Sequence, residues 1–189
     1  TNTTKAAGIS DIGGPYQGKG LGVLAADFNN DRYPDLYVAN DDTPNYLFLN
    51  GGDSTFMEIG IFTGCAYSSD GVAQAGMGVD TGDYNEDGLL DIFVTNFSYE
   101  TNALYQNNGD GTFTDVIYKS RLGEESYLSL GFGANFLDYN NDGYLDLFIA
   151  NGHISPNIEQ TIDVVTYAQP NQLFQNSFFE TAVNRCSQL

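Results

Sequence analysis

Residues 83–91 read Asp-Tyr-Asn-Glu-Asp-Gly-Leu-Leu-Asp, with oxygen-bearing side chains at positions 1, 3, 5 and 9 of the stretch. The same spacing occurs in residues 27–35 and 138–146. We call these three stretches, in chain order, the first, second and third acidic loops. Their first residues follow one another at intervals of 56 and 55 residues, and a Gly-x-Gly triplet precedes each loop. The chain is therefore an array of three repeats.

Each repeat contains short segments typical of β-strands, because they are rich in β-branched and aromatic residues. One such segment leads into the acidic loop, as in residues 21–28. Two more follow the loop, and an Asn/Gly-rich turn then introduces a fourth. The predicted second strands are residues 35–40, 91–96 and 146–151, the third strands 45–48, 102–105 and 171–174, and the fourth strands 55–59 and 112–117.

Four short antiparallel strands make one small sheet, and a lone sheet cannot bury both of its faces. Stacking each sheet on the next solves this problem, as in the blades of a β-propeller. The sequence predicts an all-β fold of three four-stranded antiparallel propeller-like blades. The third repeat lacks the Asn-Gly turn, and its last hairpin is predicted to end at residues 178–183. We expect a single repeat array with a tail or strand of a preceding blade at residues 1–19, blades at 20–64, 76–122 and 131–189, and an insertion at 152–169.

The acidic loops have the donor set of a hard cation. Ca²⁺ takes about 6–8 oxygen ligands, and position 7 of each loop can add its backbone carbonyl. Zinc would favour His or Cys. Position 6 requires a sharp turn, which Gly88 and Gly143 permit and Arg32 does not, so we expect the first site to be the weakest of three. The predicted ligands are Asp27, Asn29, Asp31, Tyr33, Asp35, Asp83, Asn85, Asp87, Leu89, Asp91, Asp138, Asn140, Asp142, Tyr144 and Asp146.

The alternative interpretation is that the loops are Asx turns that hold no metal. Three such loops in one repeat phase favour the metal, because each would otherwise crowd like charges. The chain carries 25 acidic and 6 basic residues, a net charge of −19. That charge repels nucleic acid and anionic membrane surfaces. No apolar run approaches the ~18–20 residues that span a bilayer, so we expect no membrane insertion.

The order Gly-x-Gly, strand, Asp-x-Asn-x-Asp-Gly-x-x-Asp, strand resembles FG-GAP/VCBS repeats, the blades of integrin-type β-propellers. Residues 74–80, 94–98 and 150–153 resemble, more closely, the repeat region of bacterial ASPIC/UnbV-type secreted proteins. The resemblance implies Ca²⁺ in the loops, an extracellular or cell-surface setting, and roles in adhesion or assembly. It implies no catalytic residue. His153, the single His, has no accompanying hydrolase motif, so we predict no enzyme.

Three blades cannot close a propeller, which typically has about 4–8 blades. Residues 1–9 resemble residues 114–122, so we expect the chain to start inside one blade and stop near the end of another. A head-to-tail neighbour would cover the open sheets and generate an oligomer or a filament. The prediction is a non-enzymatic, self-assembling, Ca²⁺-binding structural or adhesive protein. The alternative is a carbohydrate- or protein-binding fragment of a larger propeller, with glycans or other surface proteins as partners.

The sequence is compatible with a disulfide and with glycans. Cys65 and Cys186 could be bridged within one chain or between chains, or they could be two free buried thiols. The sequons at Asn2 and Asn96 could carry glycans in a secreted protein. Asn96 ends a strand at a repeat position, which favours a structural turn there, whereas Asn2 lies in a Thr-rich tail where O-linked sites are also open.

Overall fold

The computed structural model describes residues 1–9, 18–177 and 185–188, and it has the predicted all-β fold. Three four-stranded antiparallel sheets follow one another along the chain, each with its strands hydrogen-bonded in chain order. Sheet 1 contains β1 to β4, at Gly20–Ala26, Asp35–Asn40, Tyr46–Asn50 and Phe56–Glu58. Sheet 2 contains β5 to β8, at Val79–Gly82, Asp91–Val94, Ala103–Asn107 and Phe113–Asp115. Sheet 3 contains β9 to β12, at Gly131–Leu137, Asp146–Asn151, Gln172–Ser177 and Arg185–Gln188.

Short helical turns connect the sheets. Helix α1 (Gly60–Thr63) follows β4, and helix α2 (Leu122–Ser126) lies between β8 and β9. A single 3₁₀ turn, Ile158–Gln160, lies between β10 and β11, inside the segment predicted as an insertion. None of the helices in the described ranges is long and apolar enough to cross a membrane.

The first strands of neighbouring sheets pack together, β1 against β5 and β5 against β9. Side chains alternate between the two faces of a strand, and β6 shows the consequence. Ile92 and Val94 pack in a core shared with sheet 1, whereas Phe93 packs in a core shared with sheet 3. All three side chains are 0% exposed. Sheet 2 is thus covered on both faces, as predicted for stacked blades.

Sheet 1 has only one face covered in this way. Tyr37 and Leu47 point into the core shared with sheet 2. The alternate residues Leu36 and Val38, which occupy the positions of the fully buried Ile92 and Val94, are only partly buried. Their neighbour Val23, paired with Val38, is 67% exposed. This second face of sheet 1 is apolar and has no sheet against it in the described residues.

Residues 4–8 form a turn, so the described residues 1–9 form a tail and contain no strand, at the position predicted for a tail or strand. Residues 1–9 match the turn that follows a fourth strand rather than the strand itself. The Ala7 N–H donates to the Thr3 carbonyl (2.9 Å), as the Thr63 N–H does to Ile59 after β4 (3.0 Å). The Phe56 N–H also donates to the Ala7 carbonyl (2.8 Å), so this turn lies against β4.

The strand boundaries agree with the sequence to within two residues, except that β11 ends at Ser177 rather than at residue 174. The second strand of repeat 2 ends at Val94 rather than Asn96, because Thr95 and Asn96 bond to residues outside the ladder. The last hairpin, predicted to end at residues 178–183, lies outside the described residues, as do residues 10–17 of the N-terminal tail. The fourth strand of sheet 3 is β12, which pairs with β11.

Cys65 is a free thiol in the core between sheets 1 and 2. Burial raises the pKa of this thiol to about 12, so it is protonated and unreactive at neutral pH. The side chain of Cys186 lies outside the described part of the structure. Asn96 is 1% exposed and its amide donates to the Thr101 carbonyl (2.8 Å), which favours the structural turn over a glycan at this sequon. The Asn2 side chain is exposed and accepts from the Thr4 N–H (3.0 Å).

Candidate metal centre

The second acidic loop connects β5 to β6, and its shape is fixed by hydrogen bonds to its own carboxylates. Asp83 accepts from the Asp87 N–H (3.0 Å) through Oδ1 and from the Gly88 N–H (2.8 Å) through Oδ2. Asp87 accepts from the Leu89 N–H (2.9 Å). Asn85 donates its amide to Asp87 Oδ2 (2.8 Å) and accepts the Asp87 N–H (3.1 Å). Side chains at positions 1, 3 and 5 are therefore gathered around one turn of backbone.

The same hydrogen bonds recur in the other two loops. In the first loop, Asp27 accepts from the N–H groups of Asp31 (3.0 Å) and Arg32 (2.7 Å). In the third loop, Asp138 accepts from those of Asp142 (3.0 Å) and Gly143 (2.9 Å). The residues at position 7, Tyr33, Leu89 and Tyr144, donate their N–H groups to the aspartate at position 5. The structure thus brings all fifteen predicted residues into three loops of one shape.

Two positions in each loop adopt left-handed backbone conformations. At position 6, φ is 76° for Arg32, 84° for Gly88 and 94° for Gly143, so the sharp turn exists and Arg32 adopts it despite its side chain. Left-handed backbone for a residue with a Cβ costs about 1–2 kcal/mol. The sequence reasoning missed position 4, where φ is also positive, at Asn30, Glu86 and Asn141. The Asn residues at two of these positions were a usable signal, because Asn tolerates this conformation.

Position 9 anchors each loop to its sheet. Asp35, Asp91 and Asp146 are all 0% exposed. Each accepts a hydrogen bond from the backbone N–H of an asparagine on the third strand of its sheet. These bonds, which the sequence analysis did not foresee, come from Asn50 (2.9 Å), Asn107 (2.8 Å) and Asn176 (2.8 Å).

The amide groups of two of these asparagines also join neighbouring loops. Asn107 donates to the Leu90 carbonyl of its own loop (3.2 Å) and to the Phe28 carbonyl of the first loop (2.9 Å). Asn176 likewise bonds to its own loop (3.3 Å) and to the Tyr84 carbonyl of the second loop (2.7 Å). The first and second acidic loops are therefore each held by an asparagine of the following sheet. The repeat phase of these asparagines was visible in the sequence, but their contacts across sheets were not.

Two of the buried aspartates at position 9, Asp91 and Asp35, experience charge crowding. Burial raises the pKa of Asp91 to about 7, and the nearby carboxylates of Asp87 and Asp83 raise it further against the backbone hydrogen bonds that lower it. Burial also raises the pKa of Asp35, with the charges of Asp31 and Asp27 acting in the same direction. A cation in the loop would oppose both effects, because an opposite charge favours the ionised carboxylate.

The donor chemistry of the loops fits a hard cation, since each provides three carboxylates, an amide oxygen and the backbone carbonyl of position 7. The carboxylates at positions 1 and 5 presently face backbone N–H groups of the loop itself. In the described residues, no three or more Asp, Glu, His or Cys side chains converge as a metal cluster would. Binding would therefore require the loop side chains to turn from backbone N–H groups toward the ion.

His153 lies away from the acidic loops. It is 7% exposed, its Nδ1 accepts from the Ser155 N–H (3.0 Å), and its ring packs against Phe97 with centroids 5.5 Å apart. These contacts are those of a loop residue that organises the segment between β10 and β11.

The repeats of this chain match a known repeat family and parts of known proteins. Residues 27–94 and 83–149 each match the FG-GAP-like repeat family. Cartilage acidic protein 1 from Xenopus tropicalis is 32% identical over 134 residues, and the human protein of that name is 29% identical over 147 residues. These alignments cover 70% and 77% of this chain but only 20% of each relative, so the chain spans about a fifth of their length.

The finer resemblance to bacterial ASPIC/UnbV-type proteins has no test among these matches and stays a prediction. The assignment to FG-GAP-like repeats is confirmed, because the two family matches together extend from residue 27 to residue 149. They start and end within the sheets described above and include all three acidic loops. The chain belongs to the FG-GAP-like repeat family.

Proposed function

We propose that this chain is a non-enzymatic, Ca²⁺-binding structural or adhesive protein that works outside the cell. The observation that carries the proposal is the recurrence of one loop shape, with the same carboxylates in the same roles, at the same connection of three successive sheets. Calcium would neutralise carboxylates that the fold crowds together. The buried Asp91, whose pKa is raised to about 7, supports a need for such neutralisation.

The residues that would hold the ion are the predicted ones, with carboxylates from positions 1, 5 and 9, the amide oxygen of position 3 and the carbonyl of position 7. Calcium would supply charge neutralisation and stiffness rather than chemistry. The first site would be the weakest, because Arg32 places a cation beside it and has a positive φ. Extracellular modules typically bind Ca²⁺ with a Kd of about 10⁻⁴–10⁻³ M. The relatives named for cartilage favour an extracellular setting.

Self-assembly would occur at the uncovered face of sheet 1. That face carries Val23, Leu36 and Val38. Of the equivalent residues of sheet 2, Ile92 and Val94 are fully buried against a neighbouring sheet and Val79 is partly buried. The turn at residues 4–8 lies against β4 in the same way that the end of α1 lies against β8 of the next sheet. A Cβ added to Gly8 would meet the Phe56 carbonyl, and a Cβ added to Gly64 would meet the Phe113 carbonyl. A sheet from a second copy would continue this stacking head to tail.

The second candidate is a carbohydrate- or protein-binding section of a larger propeller. The observation that favours it is that the chain aligns with only a fifth of its relatives. In that case the uncovered face of sheet 1 would receive another blade of the same polypeptide.

Calcium binding can be tested by isothermal titration calorimetry and thermal melting of the chelated protein. We expect three sites, and a melting temperature that rises by several degrees on adding calcium. Asp87→Asn should remove one site, whereas Asp163→Asn, an exposed acid in the segment between β10 and β11, should leave three. Unchanged melting with calcium and with chelator would disprove the metal proposal.

Self-assembly is tested separately, by analytical ultracentrifugation in the presence of calcium. We expect species larger than the 20.6 kDa chain, and Val23→Lys should dissociate them because it places a charge on the uncovered face. A monomer at all accessible concentrations would favour the second candidate.

A further inference from the structure

A cleft of about 360 Å³ lies beside α2, in the connection between sheets 2 and 3. It is lined by Thr101, Tyr118, Gly123, Glu124 and Tyr127, and we call it the tyrosine cleft. None of these residues belongs to an acidic loop, so the cleft is independent of the proposed calcium sites. Its volume lies at the lower end of the range of about 300–1,000 Å³ found for small-molecule sites.

Aromatic rings form the wall of the tyrosine cleft and remain accessible. Tyr118 is 57% exposed and Tyr127 is 44% exposed. Tyr99 supports Tyr127 from the side, with ring centroids 5.8 Å apart and planes at 90°, and its N–H donates to the Tyr127 carbonyl (2.7 Å). Gly123 lines the cleft without a side chain, and a Cβ there would lie in van der Waals contact with Tyr118 and Thr101, 3.4 Å from each.

The backbone of Tyr99 is strained, with a φ of 69°. A positive φ is uncommon for a bulky residue, and such strain tends to occur at ligand-binding sites, where the surrounding structure enforces it. Here the hydrogen bond to Tyr127 holds Tyr99 in place. The fold thus keeps the aromatic pair at the cleft at a conformational cost.

The one formal charge in the lining is the carboxylate of Glu124. Within the described residues, the side-chain carboxylate of Glu124 has neither a hydrogen-bond nor an ion-pair partner. The chain as a whole has a net charge of −19, which repels anions and attracts cations. An accessible carboxylate next to tyrosine rings therefore offers an unused partner for a positive group.

We propose that the tyrosine cleft binds an organic cation, the ammonium or guanidinium side chain of a basic partner protein. A cation over a tyrosine ring is attracted by the negative face of the π system, and desolvation strengthens this attraction. The Glu124 carboxylate adds a charge-assisted contact. A neutral ligand of the same shape would gain only the contact with the rings. The cleft would then be the place where an adhesive array of this kind holds a basic partner.

The proposal is tested by NMR titration of the calcium-loaded full chain with three probes. The probes are N-acetyl-arginine amide, choline, and 3,3-dimethylbutan-1-ol, which is the neutral isostere of choline. We expect the two cations to shift resonances of Tyr118 and Tyr127 and to bind at least about 5-fold more tightly than the neutral alcohol. Tighter binding of the arginine derivative identifies a protein side chain as the source, and tighter binding of choline identifies a quaternary ammonium group.

Variants distinguish binding of cations in the tyrosine cleft from nonspecific attraction of cations to an acidic protein. Glu124→Gln and Tyr127→Leu should each weaken cation binding about 3- to 10-fold. Phe62→Leu is the matched control, because Phe62 is an exposed aromatic residue in α1, the turn after β4. Equal binding of choline and its neutral isostere, binding that the two cleft variants leave unchanged, or no shift at Tyr118 and Tyr127 would each overturn the proposal. Methyl glucoside is titrated as an additional control, and its binding in place of the cations would overturn the proposal in favour of a sugar site.

Discussion

The first and second acidic loops have nearly the same internal geometry although they differ at position 6. The N–H of position 6 donates to the aspartate of position 1 at 2.7 Å from Arg32 and at 2.8 Å from Gly88. The φ values of these two residues differ by only 8°, from 76° to 84°. The hydrogen bonds of the aspartates therefore impose the turn, and the residue at position 6 adapts to it.

The surroundings of the two loops differ more than their shapes. The second loop is held by Asn107 of its own sheet and by Asn176 of the next, and its Asp91 has a pKa raised to about 7. The first loop is held by Asn50, whose side-chain N–H donates to the Pro34 carbonyl of the same loop, and by Asn107. Local sequence sets the shape of each loop, whereas the neighbouring sheets set its electrostatics and its coupling.

Loss of calcium at the second loop should have the largest effect. A ligand present at 100 times its Kd stabilises the folded state by about 2.7 kcal/mol. Asp87→Asn should therefore remove about 2–3 kcal/mol of the calcium-dependent stability, and Asp31→Asn distinctly less, because the first site is the weaker one. Chemical denaturation with calcium and with chelator measures both. Equal losses would show that Arg32 does not weaken its site.

The next largest effect should be on the pH dependence of the stability of the metal-free protein, which should distinguish the second loop from the others. The raised pKa of Asp91 means that its contribution to stability is complete below the unfolded value near 3.8. That contribution is lost as the pH rises through about 7. Metal-free protein should accordingly lose stability over this range, and Asp91→Asn should flatten the slope. Melting curves from pH 4 to pH 8 with chelator test this, and an identical slope in the variant would contradict the pKa shift.

Removal of the asparagine amides should show the coupling between sheets. Asn107→Ala leaves buried carbonyl groups of two loops without their donor, which costs about 1–3 kcal/mol. Asn50→Ala is the matched control: both variants lose the bond from the glycine two residues on, but Asn50→Ala leaves only the Pro34 carbonyl of a single loop without its donor and should cost less. Urea denaturation of both variants gives the comparison. Equal costs would mean that the bond to the Phe28 carbonyl contributes nothing.

The exchange at position 6 should have the smallest effect. Arg32→Gly relieves the left-handed strain and should raise the free energy of unfolding by up to about 1 kcal/mol, and it should tighten calcium binding by the first loop. Gly88→Arg is the reverse experiment and should do the opposite in the second loop. Calcium titration of the two variants measures the change, and an unaltered affinity in both would show that position 6 is neutral.

The fold could be read from the sequence to a large extent because its signals are local. The 55- to 56-residue period, the alternating strands and the Asn-Gly turns marked the sheets, and β2 and β10 have the predicted ends. In the N-terminal tail, residues 1–9 match the turn that follows a fourth strand, and residues 10–17 of the predicted tail or strand lie outside the described residues. The contacts of Asn107 and Asn176 with neighbouring loops could not be predicted. An Asn at the end of a strand gives the same sequence pattern whether or not its side chain reaches the next sheet.

The sequence alone determined the repeat, the strands and the acidic loops, since these depend on side-chain alternation and on hydrogen bonds within a few residues. Tertiary structure decided what lies between the sheets. Only the stacking made Ile92 and Phe93 face different cores, placed Asn107 between two loops and buried Asp91 enough to raise its pKa. Burial depends on partners that are far away in the chain, as in the bond from Asn107 to Phe28 across 79 residues and the bond from Asn176 to Tyr84 across 92 residues. No local pattern encodes contacts at that distance.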